Sequence, residues 1–287
     1  MPSPIKDHSY ILPGNDTGIL LLHGLNGTPF EMRALADALY ARGYTVSVPQ
    51  LAGHCGTFDD LRKTCWRDWA RSAENALLDL EKRCATIIVG GLSAGAILSL
   101  YLASQHPLLV NAIALYAPTL WLSGWAIPWY ARIFRLVHMR SFANLIPFPD
   151  LPTHGIKDPE IRDKVQSAIL SGDSAIAGTA STPGSSVLEH RRLVNSVLRR
   201  LNVITQPTLI IHSREDDYAG PDNAAYLIRH LRSEVETLTL NDSYHIITSD
   251  RQLPRVIEKS LEFFARISCE NAEAYQPPCI TRAPTAD

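Results

Sequence analysis

The stretch Ile87 to Gly95, Ile-Ile-Val-Gly-Gly-Leu-Ser-Ala-Gly, constrains this chain more than any other. A β-branched apolar run ends in Gly91-Leu92-Ser93-Ala94-Gly95, and a helix-favouring segment, Ala96 to His106, follows at once. A strand that turns straight into a helix on a serine must hold that serine in a strained backbone conformation. The positions two before and two after it then approach other backbone too closely for a Cβ, and here both are glycine. The Gly-x-Ser-x-Gly pattern alone is common in turns. The strand before it and the helix after it make Ser93 a candidate nucleophile.

Between Arg83 and Arg132 there is no Lys, Arg, Asp or Glu. Leu108 to Ala131 is long enough for a membrane span, but Asn111, Pro118, Gly124 and Pro128 interrupt it. The charge-free region reads better as buried strand, turn, buried helix and buried strand, the pattern of a parallel sheet covered on both faces. A chain of 287 residues can bury such a core as one large α/β domain with an insertion, or as two small domains. A net charge of −2 argues against nucleic acid or an anionic membrane surface as the main partner and favours small neutral molecules. Met1 to Tyr10 lacks the apolar core of a secretory signal, and no stable membrane insertion is expected. Five cysteines (Cys55, Cys65, Cys84, Cys269, Cys279) show no close pairing and read as reduced thiols in a cytoplasmic protein.

Strands and helices alternate along the first part of the chain. Gly18 to His23 is a short apolar run ending in His23-Gly24-Leu25-Asn26-Gly27. Thr28-Pro29-Phe30-Glu31 then has the form of a capping box with proline at the first helical position, opening a helix to about Ala41. Tyr44 to Pro49 is the next strand, followed by a loop in which His54 reads as a packing residue. A helix led by Trp66 and Trp69 runs to about Arg83, and Asn111 to Ala117 is the strand after the Ser93 helix. This rhythm predicts a mainly parallel sheet with right-handed crossovers.

The rhythm breaks at Pro118, and no strand-like run is evident from Thr119 to about Thr205. We read 1–118 as the first part of the core, 119–205 as an inserted helical cap, 206–266 as the second part of the core, and the polar 267–287 as a C-terminal tail and candidate for disorder. Trp121, Trp125 and Trp129 fall four apart, which predicts one helical face. Pro128 would then have to start a second helix, to His138, with Trp129, Ile133, Phe134 and Val137 on its apolar side. Trp125, Trp129, Ile133 and Phe134 are candidate substrate contacts, with packing of the cap on the core as an equal alternative. Ser171 to Ser186 reads as a flexible loop, and Val187 to Leu201 as a basic amphipathic helix with solvated arginines.

Gln206 to His212 is a strand ending in Ser213-Arg214-Glu215-Asp216-Asp217-Tyr218, and Val235 to Leu240 is the last strand, ahead of Asp242-Ser243-Tyr244-His245. Together with the Ser93 turn, two stretches, His23-Gly24-Leu25-Asn26-Gly27-Thr28-Pro29 and Ser243-Tyr244-His245-Ile246-Ile247-Thr248 followed by Asp250, resemble the α/β-hydrolase family. Within it the resemblance is to the bacterial carboxylesterase and monoacylglycerol lipase-like branch. It covers roughly Gly18 to Ala117 and Gln206 to Arg266. Departures are a cap longer than that branch's compact lid and Gly-His-Cys where Gly-His-Gly is usual.

The resemblance implies an α/β-hydrolase fold and a triad in the chain order serine, acid, histidine: Ser93, Asp216 and His245, with Asp217 and then Glu215 as competing acids. It also implies an oxyanion hole made by the backbone N–H groups of Leu25 and Ala94, leaving His23 to hold the loop. Such a site hydrolyses carboxylic esters through an acyl-enzyme and requires no metal or organic cofactor. Short- to medium-chain esters are the expected substrates. Acyl transfer, thioester hydrolysis and carbon-carbon bond hydrolysis use the same triad and remain alternatives. No Cys/His cluster has zinc spacing, and no phosphate-binding glycine loop is present. The oligomeric state is not legible.

Overall fold

The computed structural model describes residues 5–127, 131 and 134–274. Seven strands form one sheet: β1 (Tyr10–Leu12), β2 (Thr17–Leu22), β3 (Thr45–Val48), β4 (Thr86–Leu92), β5 (Ala112–Tyr116), β8 (Thr208–Ser213) and β9 (Val235–Leu240). β6 (Phe148–Pro149) and β7 (Ser181–Thr182) make a separate antiparallel pair. The order is β1-β3-β2-β4-β5-β8-β9, parallel throughout except for the antiparallel edge strand β1. β2, β4, β5 and β8 are buried along their whole length, which is why they read as unbroken apolar runs rather than alternating ones.

Helices cover both faces. On one side lie α3 (Trp66–Glu81) and α4 (Ala94–Gln105), on the other α1 (Arg33–Tyr40), with α2 (Phe58–Lys63) in the connection after β3. α4 has no polar face. Nine of its residues, Ala94 to Leu100 with Leu102 and Ala103, are buried, because it is enclosed between the sheet, α3 and a later helix. That enclosure accounts for the charge-free region without a bilayer. None of the described helices is long and apolar enough to cross a membrane.

Between β5 and β8 stand α5 (Arg140–Ala143), α6 (Pro159–Ser171) and α7 (Gly184–Leu198), followed after β8 by α8 (Asp222–His230) and finally by α9 (Leu253–Ala274). Several expectations are corrected here. The insertion does contain strands, β6 and β7, too short to show a periodic pattern. No helix links Trp121 to Trp125. Each indole is drawn instead to a separate acceptor, Trp121 Nε1 to the Asp222 carboxylate and Trp125 Nε1 to the Glu215 carbonyl at 3.0 Å.

α7 starts at Gly184 rather than Val187, so the expected loop ends earlier. Arg191 departs from the expected solvated face and donates to the Phe134 and Val137 carbonyls, whereas Arg192, paired with Glu189, and Arg199 are exposed. Leu193, Val194 and Val197 of α7 belong to the same core cluster as α3 and α4, so the last helix of the insertion packs as part of the core. The final helix runs past Arg266 to Ala274, with Ile267 buried against the α1 face of the sheet. An apolar residue at 267 continues the helix's inward stripe, so the tail begins later than 267. Residues 275–287 lie outside the described residues.

Candidate active site

Ser93 sits between the end of β4 and the start of α4 at φ 56° and ψ −113°, a conformation that costs an L-residue energy and persists only where its surroundings enforce it. The glycines allow that turn. A Cβ on Gly91 would lie 2.3 Å from the Gly95 carbonyl carbon, and one on Gly95 would lie 2.2 Å from the Leu22 carbonyl oxygen. The Ser93 N–H is anchored on the Tyr116 carbonyl of β5 at 2.9 Å, which leaves its side chain standing above the carboxyl ends of the strands.

Three loops meet there. His245 Nε2 lies 2.8 Å from Ser93 Oγ, and His245 Nδ1 lies 2.8 Å from Asp216 Oδ2. Asp216 is held by the N–H groups of Tyr218 at 2.9 Å and Ala219 at 2.7 Å. The competing acids are engaged elsewhere. Asp217 accepts the His245 backbone N–H at 3.2 Å and the Thr153 hydroxyl, while Glu215 pairs with Lys157. Burial tends to lower the pKa of His245, but the charge and hydrogen bond of Asp216 outweigh it and raise it above the ordinary imidazole value. The Tyr218 ring lies 5.2 Å from the imidazole, centre to centre, and shields it.

Leu25 and Ala94 line the cavity beside Ser93, and Ala94 opens α4, where helix N–H groups and the macrodipole favour a negative charge. The loop carrying Leu25 is braced from behind. Leu51 N–H donates to His23 Nε2 at 3.2 Å, so His23 carries its proton on Nδ1 and donates it to the Gly24 carbonyl at 3.0 Å. Burial, with His54 nearby, pushes the His23 pKa down to about 3 and keeps this tautomer neutral. His54 packs edge-on against His23 and Trp69.

The cavity holds about 530 Å³, within the range of small-molecule sites. Ile161, Val165 and Ile169, four apart on α6, give it one apolar wall, and Phe148 and Ile176 add to it. The cap residues expected to contact substrate fare differently. Trp125 is 61 % exposed and lies off the cavity, packed on Tyr244, because its indole N–H reaches for the Glu215 carbonyl. Phe134 is buried in a small cluster within the insertion, edge-on to Phe148, so it backs the wall without lining it. Trp129 and Ile133 lie outside the described residues.

Several cavity residues went unread in the sequence. Thr119 Oγ1 is 3.1 Å from Ser93 Oγ, and its only available signal was its place just after a strand end. Asp150, bonded to the Tyr218 hydroxyl and to His154 Nδ1, belongs to a segment with no readable periodicity. The sequence pattern assigns Glu31 to a helix cap. Thr28 does cap the following turn through Phe30 N–H, but Glu31 turns inward and accepts the Gly24 N–H at 3.0 Å. Among the described residues no cluster of three or more His, Cys, Asp or Glu side chains could hold a metal ion.

A parallel sheet with this strand order, a strained serine at the central turn and a histidine and acid on later loops define a serine hydrolase of the α/β-hydrolase fold. The chain belongs to the Hydrolase_4 family (serine aminopeptidase, S33), whose profile matches residues 15–252. It is 35% identical over 250 residues to the thermostable monoacylglycerol lipase of Bacillus sp. (strain H-257), covering 87% of this chain and 90% of that one. It is 22% identical over 260 residues to a carboxylesterase of Bacillus subtilis (strain 168), covering 90% and 96% of the two chains. A structure reported for the metagenome-derived lipolytic enzymes LipS and LipT superposes with a TM-score of 0.78 at 26% identity, covering 90% of this chain and 97% of the other.

Proposed function

We propose that this carboxylic-ester hydrolase works through Ser93 as nucleophile, His245 as general base and Asp216 as the partner that orients the imidazole. The observation that carries the reading is the hydrogen-bond chain Ser93–His245–Asp216, two links of 2.8 Å each, opening into an apolar cavity of about 530 Å³. In this scheme Ser93 Oγ attacks the ester carbonyl carbon as its proton passes to His245 Nε2. The Leu25 and Ala94 N–H groups receive the oxyanion. His245 then protonates the departing alcohol, and water repeats the sequence to release the acid. Asp216 holds the imidazole in this orientation and stabilises the imidazolium.

The substrate class follows from the cavity wall and from the relatives. Ile161, Val165 and Ile169 offer an aliphatic surface to an acyl chain, and the names of the relatives point to single-chain esters such as monoacylglycerols. The insertion from 119 to about 183 acts in this reading as the cap that selects substrate. The buried, unpaired Cys55 and Cys84 suit a reducing, cytoplasmic setting.

Hydrolysis of a p-nitrophenyl ester series from acetate to palmitate, with monoacylglycerols of matching chains, tests the assignment. The optimum is expected between butyrate and decanoate; equal rates on all chains, or none on any ester, would contradict it. A pH profile gives an independent check. Only neutral His245 can act as base, so kcat/KM is expected to fall as the pH drops through the His245 pKa, on the acid side and starting above the ordinary 6.5. An acid limb well below pH 6 would remove His245 or its pairing with Asp216 from the scheme.

A further inference from the structure

Glu31 is an acid of the cavity that takes no part in the proposed reaction steps. Glu31 lines the cavity and is enclosed on its other sides by the loop His23 to Gly27. Its Oε2 accepts the Gly24 N–H at 3.0 Å, and its carboxylate lies flat against Gly27, where an added Cβ would come within 2.5 Å of both carboxylate oxygens and the carbon between them. A Cβ on Gly24 would lie 3.4 Å from Glu31 Oε2 and 3.5 Å from the Ser93 Cβ. One glycine therefore separates the carboxylate from the nucleophile. The backbone carbonyl of Glu31 accepts the Ser249 hydroxyl at 3.2 Å, which ties it to the loop that carries His245.

We propose that Glu31 is a positioning residue for the reaction: its carboxylate holds the His23–Gly27 loop so that the Leu25 N–H meets the oxyanion, and its charge supports protonated His245. The proposal rests on the reading of Leu25 as an oxyanion donor and His245 as the base. Leu25 directly follows Gly24, so the bond to the Gly24 N–H sets the direction of the next peptide unit. A neutral acceptor would suffice for stapling alone, and a carboxyl at this depth pays for its desolvation. What the carboxyl adds is charge near the imidazole.

The groups facing Glu31 set the sign of that effect. Burial raises its pKa to about 7, the Gly24 N–H and His245 draw it down, and Asp150 of the cap pushes it up. From the loop after β3, Cys55 is a buried thiol whose own pKa is raised by burial and by Glu31, so it contributes no charge. Asp216, Asp217 and Glu31 all raise the pKa of His245. The Glu31 carboxylate and the His245 imidazolium therefore each favour the other's charged form.

Glu31→Ala and Glu31→Gln, measured beside wild type and Ser93→Ala, test this, with active sites counted by a fluorophosphonate label on Ser93. Glu31→Ala removes both acceptor and charge. Its kcat per active site is expected to fall roughly 10- to 100-fold, short of the loss on deleting an oxyanion donor outright, with KM changed less than about threefold. Affinity for an alkyl boronic acid, which mimics the tetrahedral state, should fall in parallel with kcat. Glu31→Gln keeps the acceptor and should recover kcat to within about fivefold of wild type, with its acid limb moved to lower pH by roughly half a unit. A Glu31→Ala enzyme that melts early yet keeps full kcat per labelled site would overturn the positioning role. An acid limb unmoved in Glu31→Gln would overturn the role of the charge, and that variant decides the matter if Glu31→Ala does not fold. Ester hydrolysis that survives Ser93→Ala would instead defeat the underlying functional reading, whatever the Glu31 variants do.

Discussion

Ser93→Ala is expected to lower kcat for ester hydrolysis by about 10⁴-fold or more while substrate binding is largely retained. The serine side chain is the one group that both stands on the strained turn and donates toward His245 Nε2 at 2.8 Å. The nearest substitute, Thr119, lies 3.1 Å from Ser93 Oγ and makes its other bond to the Ala117 carbonyl, not to the imidazole. Residual rate would come from the oxyanion donors and the cavity, which the substitution leaves in place. Removing Oγ also takes away one half-exposed hydroxyl without opening a core void, so the thermal midpoint should stay close to wild type. Burst-phase release of p-nitrophenol gives the decisive comparison: wild type should show one equivalent per site and Ser93→Ala none. A variant with normal turnover would show that Ser93 is not the nucleophile.

The second large effect separates three adjacent acids. Asp216→Asn is expected to reduce kcat by roughly 10⁴-fold near neutral pH, because an amide can present a donor where His245 Nδ1 needs an acceptor and so stabilise the wrong tautomer. Asp217→Asn should cost no more than about tenfold. Its carboxylate bonds the His245 backbone N–H and the Thr153 hydroxyl, so it fixes where the loop sits and reaches the imidazole only through its charge. Glu215→Gln should cost least, since it breaks an ion pair with Lys157 at a partly exposed site. Circular dichroism and urea unfolding of all three keep a folding defect apart from a chemical one. Equal losses for Asp216→Asn and Asp217→Asn would mean that the pair acts as a unit.

The bonds of Asp217 also show how the segment inserted between β5 and β8 is attached. Thr153 reaches Asp217, Asp150 reaches the Tyr218 hydroxyl, the Gly155 carbonyl takes the Ile246 N–H at 2.7 Å, and Asp250 takes the Lys157 and Asp158 N–H groups. One stretch of the insertion, 150–158, is thereby bonded to both the loop of Asp216 and the loop of His245. None of this is periodic, so no window of sequence could display it.

What the chain declared in its own letters was local chemistry. Unbroken apolar runs marked β2, β4, β5 and β8, since a strand buried on both faces has no polar side to show. The glycines at 91 and 95 marked the turn at Ser93, since no other residue fits a 2.2 to 2.3 Å approach of backbone. The loops after later strands marked Asp216 and His245 through their order in the chain. Tertiary structure decided whatever depended on competition between distant partners. The same letters Thr-Pro-Phe-Glu that spell a capping box place Glu31 on the cavity, where its carboxylate takes the Gly24 N–H, seven residues back, instead of the helix end. Trp125 and Phe134 sit away from the cavity, one on the Glu215 carbonyl and the other in the small buried cluster with Ala143 and Leu188. Helical spacing says which residues share a face, and only packing says what that face meets.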